Sequence, residues 1–228
     1  LARQHISVSE AVRQLFCELE RSQQVPEFLA DASPRDDIQG KRQLLRTMVR
    51  ASRPTPDALE PPIAPKGHDW REDWREHLLE CVMNILFDTN VVIDLFTDTD
   101  DFKAAFTAVD VALLRDFKLW LPACSTPSIR YLLTARKLMK AADARRAFGD
   151  LLQLFSIADT TSADCLAAYE HEHRDYEDDL VAYSAHRTGI DFIVTRNGRD
   201  FEKSPVPVLS PTEFVDLFKP ADIVYGWG

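Results

Sequence analysis

The sequence predicts an α/β protein in which helices cover both faces of a parallel central sheet, giving three layers. From Met83 onward, short apolar runs of strand length alternate with longer segments of helical periodicity, which is the rhythm of βαβ units. The strand-like runs are continuously apolar, as is typical of strands buried on both faces. At 228 residues, the chain is long enough for one such domain and a smaller element.

The first predicted strand, residues 85–87 (ILF), ends at the polar triplet Asp88, Thr89 and Asn90. The triplet therefore stands at the carboxyl end of a strand, and ligands of open α/β sheets bind at that edge. A second interpretation is that the Asp88 side chain caps the helix that follows. The residues of this stretch alone leave both interpretations open.

The remaining elements of the domain follow in order along the chain. Helical periodicity covers residues 102–117, 125–137, 140–154, 163–172 and 177–186. Strand-like runs cover residues 118–122, 155–158 and 191–195. Residues 206–209 could form only a short edge strand, because Pro207 has no N–H to donate to a sheet ladder.

Ahead of the domain, a proline-rich stretch at residues 52–68 is typical of an extended linker. We therefore predict a helical segment at residues 1–51, a linker with a further helix at residues 52–82, and the α/β domain at residues 83–228. The helical segment contains an amphipathic helix at residues 7–19 and a weaker one at residues 38–49.

Composition and charge exclude several classes of protein. The net charge of -10 argues against a general nucleic-acid coat protein, because neutralising phosphates requires a basic surface. Residues 83–228 hold 15 Lys and Arg against 23 Asp and Glu, so the domain carries most of the excess acid. No apolar run is long enough to span a membrane, and the four scattered cysteines predict reduced, mostly buried thiols. We expect a cytoplasmic protein.

Two further groups of polar residues fall where Asp88 would need partners. The first, DYEDD at residues 175–179, has four acids at the start of a helix, which is more than capping requires. The second, TRNGRD at residues 195–200, directly follows the apolar strand DFIV. Acids that converge in space are how proteins hold hard divalent cations, so these groups indicate a metal site.

The segments FDTNVVID, DYEDDLVAYSAHRTG and DFIVTRNGRDF, in this order, resemble the PIN domain as found in ribonuclease toxins of toxin–antitoxin modules (VapC type). The resemblance covers residues 83–217, and PVPVLSPTEFVDLF is similar to that fold's last strand and helix. It implies an endoribonuclease that depends on Mg²⁺ or Mn²⁺. The residues implied to act in catalysis or to hold the metal are Asp88, Glu177, Asp178, Asn197 and Asp200.

The resemblance also implies roles for Asn90 and Ser128. Asn90 would hydrogen-bond a metal ligand. Many PIN domains carry a glutamate on the helix after the second strand, and here that position falls on or near Ser128, as a hydroxyl residue does in some branches. Asn197 stands where the family often has aspartate. These departures put the number of carboxylates and the metal affinity in question.

The first residues, ISVSEAVRQLF followed by VPEFL, resemble part of antitoxins of the RelB and DinJ type. Antitoxins of this kind inhibit by laying a helix in the groove of the toxin. We expect Trp70 and Trp74, with Arg71 and Arg75 beside them, to lie on an inhibitory helix whose arginines offset the acidic site. The same two tryptophans are also explained by ordinary packing on the domain. If the helix reaches a neighbouring chain, the protein is a homodimer.

Two other interpretations compete with that of a ribonuclease. The domain could be a PIN-like module that has lost catalysis and serves binding or assembly, which the missing glutamate favours. A phosphatase using Asp88 as nucleophile would normally need an aspartate at the position of Asn90. His171 and His173, amid glutamates at a helix end, are predicted to lie on a solvated face rather than to react.

Overall fold

The computed structural model describes residues 35–52, 82–135, 138–171 and 175–226. Its centre is a five-stranded sheet in which every pair of neighbouring strands is parallel. In chain order the strands are β1 (Asn84–Phe87), β2 (Lys118–Pro122), β3 (Ser156–Ala158), β4 (Phe192–Val194) and β5 (Val208–Leu209). Across the sheet they stand in the order β3-β2-β1-β4-β5. The predicted strands are confirmed, and the short β5 is an edge strand that begins after Pro207.

Helices cover the sheet on both faces, as predicted. In chain order they are α1 (Arg35–Ser52), α2 (Thr89–Asp94), α3 (Asp101–Leu114), α4 (Thr126–Ala135), α5 (Ala141–Leu154), α6 (Ser162–Glu170), α7 (Tyr176–Thr188) and α8 (Pro211–Phe218). Short 3-10 turns follow β2 at Ala123–Ser125 and β4 at Gly198–Phe201. None of the helices in the described ranges is long and apolar enough to cross a membrane.

The side chains of β1 alternate between two hydrophobic clusters, one on each face of the sheet. Ile85 and Phe87 belong to the larger cluster, which takes residues from α1 to α5 and from α8. Leu86 belongs to the smaller one, with residues of α7. Because all three β1 side chains are fully buried, the strand reads as a continuous apolar run in the sequence.

The strand order places a topological switch point at the centre of the sheet. From β1 the chain moves outward to β2 and β3, then returns to place β4 on the opposite side of β1. Phe87 and Val194 are register partners, so the residues that follow β1 and β4 emerge side by side. Crevices at such points are where ligands bind in open α/β sheets.

Helix α1 packs against α3 and α5 on the face of the larger cluster. Leu45, Met48 and Val49 are almost fully buried there, and Leu44 packs against them partly buried. Arg42 donates two hydrogen bonds to Asp110 of α3, from Nε to Oδ1 at 2.8 Å and from Nη2 to Oδ2 at 2.9 Å. Tyr225 also donates to Asp110 Oδ2, at 2.8 Å. The N-terminal helix is therefore fixed to the domain by both apolar burial and a buried ion pair.

Two predictions for the N-terminal part fall outside the described residues. The amphipathic helix at residues 7–19 is one of them. The other is the helix carrying Trp70, Arg71, Trp74 and Arg75, together with the linker that precedes it. Of the cysteines in the described ranges, Cys124 and Cys165 are free but half-buried, so the prediction of burial is wrong for these two.

Candidate metal-dependent site at the sheet edge

A cleft of about 240 Å³ opens at the switch point, at the carboxyl ends of β1 and β4 and the start of α7. Five of the side chains that line it are carboxylates, and among the described residues in its wall Arg196 is the one cation. The lining residues are Asp88, Thr89, Asn90, Ile93, Ser125, Leu132, Asp175, Glu177, Asp178, Val181, Arg196, Asn197 and Asp200. The structure therefore brings together the three polar groups that the sequence singled out.

Asp88 lies at the floor of the cleft and is 6% exposed. Its Oδ1 accepts a hydrogen bond from the Thr89 amide at 2.6 Å, and it is the N-cap of α2. Its Oδ2 accepts from Asn90 Nδ2 at 2.5 Å and from Thr195 Oγ1 at 2.7 Å. Burial raises the pKa of Asp88, although the Thr195 and Thr89 hydrogen bonds oppose this shift. The helix-cap interpretation and the position in the cleft are therefore both correct for Asp88.

Asn90 joins the ends of β1 and β4. Besides its bond to Asp88, its Nδ2 donates to Thr195 Oγ1 at 3.0 Å, and its Oδ1 accepts from the Arg196 amide at 3.2 Å. The Thr195 hydroxyl also accepts from the Asn197 amide at 3.0 Å. These bonds fix the orientation of Asp88, which is the geometry expected of the role predicted for Asn90.

The acidic residues at the start of α7 divide between two surroundings. Asp175 caps the helix by accepting from the Glu177 amide at 2.9 Å, and Glu177 and Asp178 line the cleft. Asp179, by contrast, is buried and lies 3.0 Å from Nδ1 of His171. One of the four acids is thus turned away from the cleft and links the end of α6 to α7.

Asp178 also has a raised pKa. Desolvation raises it to about 7, with further upward contributions from Asp88, Asp175, Asp200 and Glu177 in decreasing order. Full ionisation of the carboxyls in the cleft is therefore unfavourable at neutral pH unless a cation offsets their charge. Such a perturbed acid in a cleft is typical of functional sites.

Asn197 and Asp200 enter the cleft from the turn after β4. The Asp200 amide donates to the Asn197 carbonyl at 2.9 Å within the 3-10 turn that ends at Phe201, and both side chains line the wall. Phe201 is buried in the smaller cluster and anchors this turn. The turn thus carries an amide and a carboxylate side chain to the wall of the cleft, directly after Arg196.

The donor set matches what a hard divalent cation binds, since carboxylate and amide oxygens are its preferred protein ligands. In the described ranges no three Asp, Glu, His or Cys side chains are grouped as a ready-made metal site. Mutual repulsion of the carboxylates gives a physical reason, because it keeps like charges apart until a cation offsets them. The chemistry of the residues therefore fits Mg²⁺ or Mn²⁺. We expect the distances between their side-chain oxygens to be set when the cation binds.

The structure changes the predictions at two residues, His171 and Ser128. His171 is wrong as a solvated residue, because its side chain is only 19% exposed and pairs with Asp179. Ser128 is half-buried and does not line the cleft, whereas Ser125 does. The Ser125 hydroxyl is buried and makes no hydrogen bond within the described part of the chain. His173 lies outside the described residues.

The sequence analysis does not identify Ser125 as a residue of the site, and it places Thr195 and Arg196 in a polar group without giving either a role. Thr195 had a signal, as the first polar residue after an apolar strand, in the same position as Asp88 after β1. Ser125 ends the 3-10 turn after β2 and had no comparable signal, because the length of that turn decides which residue faces the cleft.

The sequence profile of the PIN domain family matches residues 84–199. Similar solved structures include VapBC2 from Rickettsia felis bound to a promoter DNA fragment, with 14% identity and a TM-score of 0.46. FitAcB from Neisseria gonorrhoeae has 20% identity and a TM-score of 0.44. These two alignments cover 56% of this chain and 98% of the matched chains. A comparison with curated protein sequences found no significant match.

Proposed function

Because the chain belongs to the PIN domain family, whose members are generally nucleases, we propose that it is a divalent-metal-dependent endoribonuclease of the toxin type. The observation that carries this proposal is the convergence of Asp88, Asp178 and Asp200 on one cleft at the switch point of the sheet. A phosphodiester is hydrolysed when a water is made nucleophilic and the charge on the phosphate is offset. Carboxylate-held Mg²⁺ or Mn²⁺ supplies both.

Asp88, Asp178, Asn197 and Asp200 are the residues that would hold the cation, with Glu177 in reach of the same cleft. Asp88 is oriented by Asn90 and Thr195, so its position is set before any cation arrives. Ionisation of Asp178 would be favoured by the cation, because its burial and the surrounding carboxylates oppose it. Its half-protonated state near neutral pH makes metal binding compete with protons.

We further propose that the N-terminal segment restrains the nuclease as an antitoxin-like element. The support is that α1 is fixed to the domain by the Arg42–Asp110 pair, so the residues predicted to form the linker and the inhibitory helix are tethered to the domain at both ends. A tethered segment competes reversibly with substrate, so the intact chain is expected to retain a measurable rate. If the N-terminal segment reaches the cleft of a neighbouring chain instead, the protein is a homodimer.

The alternative is a PIN domain that binds but does not cleave. It is favoured by Ser128 at the position where many members have glutamate, since the described wall of the cleft gains no acid from α4 in its place. An inert module of this kind need not bind divalent cations.

The experiment that tests the proposed function is cleavage of a mixed RNA pool by the full chain. With Mg²⁺ or Mn²⁺ present we expect the RNA to be cut internally, and we expect excess EDTA to stop the reaction, because the carboxylates alone cannot offset charge on the phosphate. A DNA pool of the same sequences serves as the control for substrate class. Intact RNA in every metal condition, at micromolar enzyme, would overturn the proposal.

A further inference from the structure

Arg196 is placed and oriented as a phosphate-binding residue would be. It directly follows Thr195 at the carboxyl end of β4 and lines the cleft between the β1 and β4 termini. Its Nε lies 2.8 Å from Oδ2 of Asp94, and its Nη1 donates to Oδ2 of Asp101 at 2.6 Å. Its backbone amide is bound to Asn90. Backbone and side chain are therefore both fixed against the floor of the site.

The two acidic partners of Arg196 differ from the carboxylates of the cleft. Asp94 and Asp101 do not line the cleft, and they hold the guanidinium from α2 and from the start of α3. An arginine has five N–H donors. Here Nη1 donates one hydrogen bond to Asp101, and Nε makes an ion-pair contact to Asp94 that lacks hydrogen-bond geometry. A fixed guanidinium with donors to spare is suited to a tetrahedral oxyanion.

Arg196 is important for RNA binding because the rest of the cleft is negatively charged. Five carboxylates in the wall repel an RNA backbone, and Arg196 is the one Lys or Arg side chain among the described residues of that wall. Without the two outer carboxylates, Arg196 would be attracted to Asp88, whose charged form it already favours. Asp94 and Asp101 thus keep the guanidinium from neutralising the ligands that a divalent cation needs.

We propose that Arg196 binds a backbone phosphate of the RNA beside the reacting one and so positions the substrate strand across the cleft. This inference rests on the proposed function and adds a positioning residue to it. Because the contact is to phosphate rather than to a base, it contributes affinity without sequence preference. A purely structural role, in which Arg196 only neutralises the buried Asp94, is the competing explanation.

The test measures the binding of single-stranded RNA oligonucleotides to the full chain by fluorescence anisotropy, in Ca²⁺ buffer, as a function of salt. For Arg196→Gln we expect binding on the order of tenfold weaker for every sequence. The slope of log K against log salt should become less negative by about 0.7, the contribution of one phosphate contact to a single strand. Arg199→Gln is the matched control, because Arg199 is an exposed cation of the same turn that does not line the cleft. Its slope should equal that of the wild type.

A double variant separates the two explanations. In Asp94→Asn/Arg196→Gln the buried charge is removed together with its partner, so the thermal stability lost in Arg196→Gln should largely return. If Arg196 binds phosphate, RNA affinity and the salt slope stay at the Arg196→Gln values. If RNA affinity and the salt slope both recover together with stability in the double variant, the inference is overturned. An unchanged salt slope in Arg196→Gln also overturns it. Failure of the wild-type chain to bind any RNA would instead contradict the proposed function itself.

Discussion

Replacing Asp178 with asparagine is expected to slow RNA cleavage by at least ~100-fold, since a charge that supports a metal-dependent reaction contributes several kcal/mol to the barrier. The same change should raise the melting temperature of the metal-free protein. Asp178 faces Asp88, Asp175, Glu177 and Asp200, and a neutral amide removes that repulsion. Loss of activity with a gain in stability is the signature of a residue kept for function rather than for folding.

The stability effect should depend on pH in a defined direction. The pKa of Asp178 is raised to about 7 in the folded protein, well above the ~3.9 of an unfolded aspartate. The folded state therefore binds more protons between these values, so the metal-free wild type should lose stability as pH rises from about 4 to about 7. Above the folded pKa the loss should level off. Asp178→Asn should lack this component.

Asp179→Asn is the matched control for this prediction. Asp179 is adjacent in sequence, but it is buried against His171 and does not line the cleft. Its replacement should leave cleavage near the wild-type rate and lower the melting temperature, which is the reverse of the Asp178 result. Thermal denaturation in EDTA and initial cleavage rates in Mg²⁺ measure both effects. Equal activity of wild type and Asp178→Asn would remove this residue from the site.

Replacing Arg42 with methionine is expected to destabilise the chain by about 3–5 kcal/mol, because it leaves the buried Asp110 carboxylate without its counter-ion. Asp110 is 1% exposed and, among the described residues, would keep the Tyr225 hydroxyl as its donor. For a chain of this length the melting temperature should fall on the order of 10 °C. If the N-terminal segment restrains the nuclease, the same variant should cleave RNA faster than wild type at temperatures where both are folded.

The double variant Arg42→Met/Asp110→Leu provides the control for the Arg42 experiment. Replacing both members of a buried ion pair with apolar side chains is often neutral or stabilising, so its melting temperature should return to near the wild-type value. Cleavage should then return to the restrained rate, because α1 is held again. Fast cleavage by the stable double variant would show that docking of α1 alone does not restrain the nuclease. Unchanged stability in Arg42→Met would contradict the structural role given to this pair.

The fold was predictable because its strands are buried on both faces. Residues 85–87 and 192–194 form continuous apolar runs, and helical periodicity fills the intervals between such runs. Asp88 and Asn197 could be assigned to one edge of the sheet for the same reason, since each follows a strand in a parallel sheet. The position of a polar residue relative to an apolar run therefore carried much of the information about the site.

What could not be predicted depends on contacts between distant elements. Arg42 and Asp110 are 68 residues apart, and nothing local to either predicts their pairing. His171 was assigned to solvent because its neighbours in sequence are charged, yet Asp179 from the next helix buries it. The ion pairs of Arg196 could not be predicted either, because the carboxylates that fix it come from α2 and α3.

The most direct test of the metal-dependent site is a calorimetric titration of Mn²⁺ into the metal-free full chain at pH 8, where Asp178 is ionised. We expect saturable binding by the wild type, and at least ~10-fold weaker binding by Asp178→Asn, because the variant lacks one charged oxygen ligand. The Asp179→Asn variant should bind as the wild type does. No binding by the wild type, or equal binding by the Asp178 variant, would contradict the assignment of this cleft as a divalent-metal site.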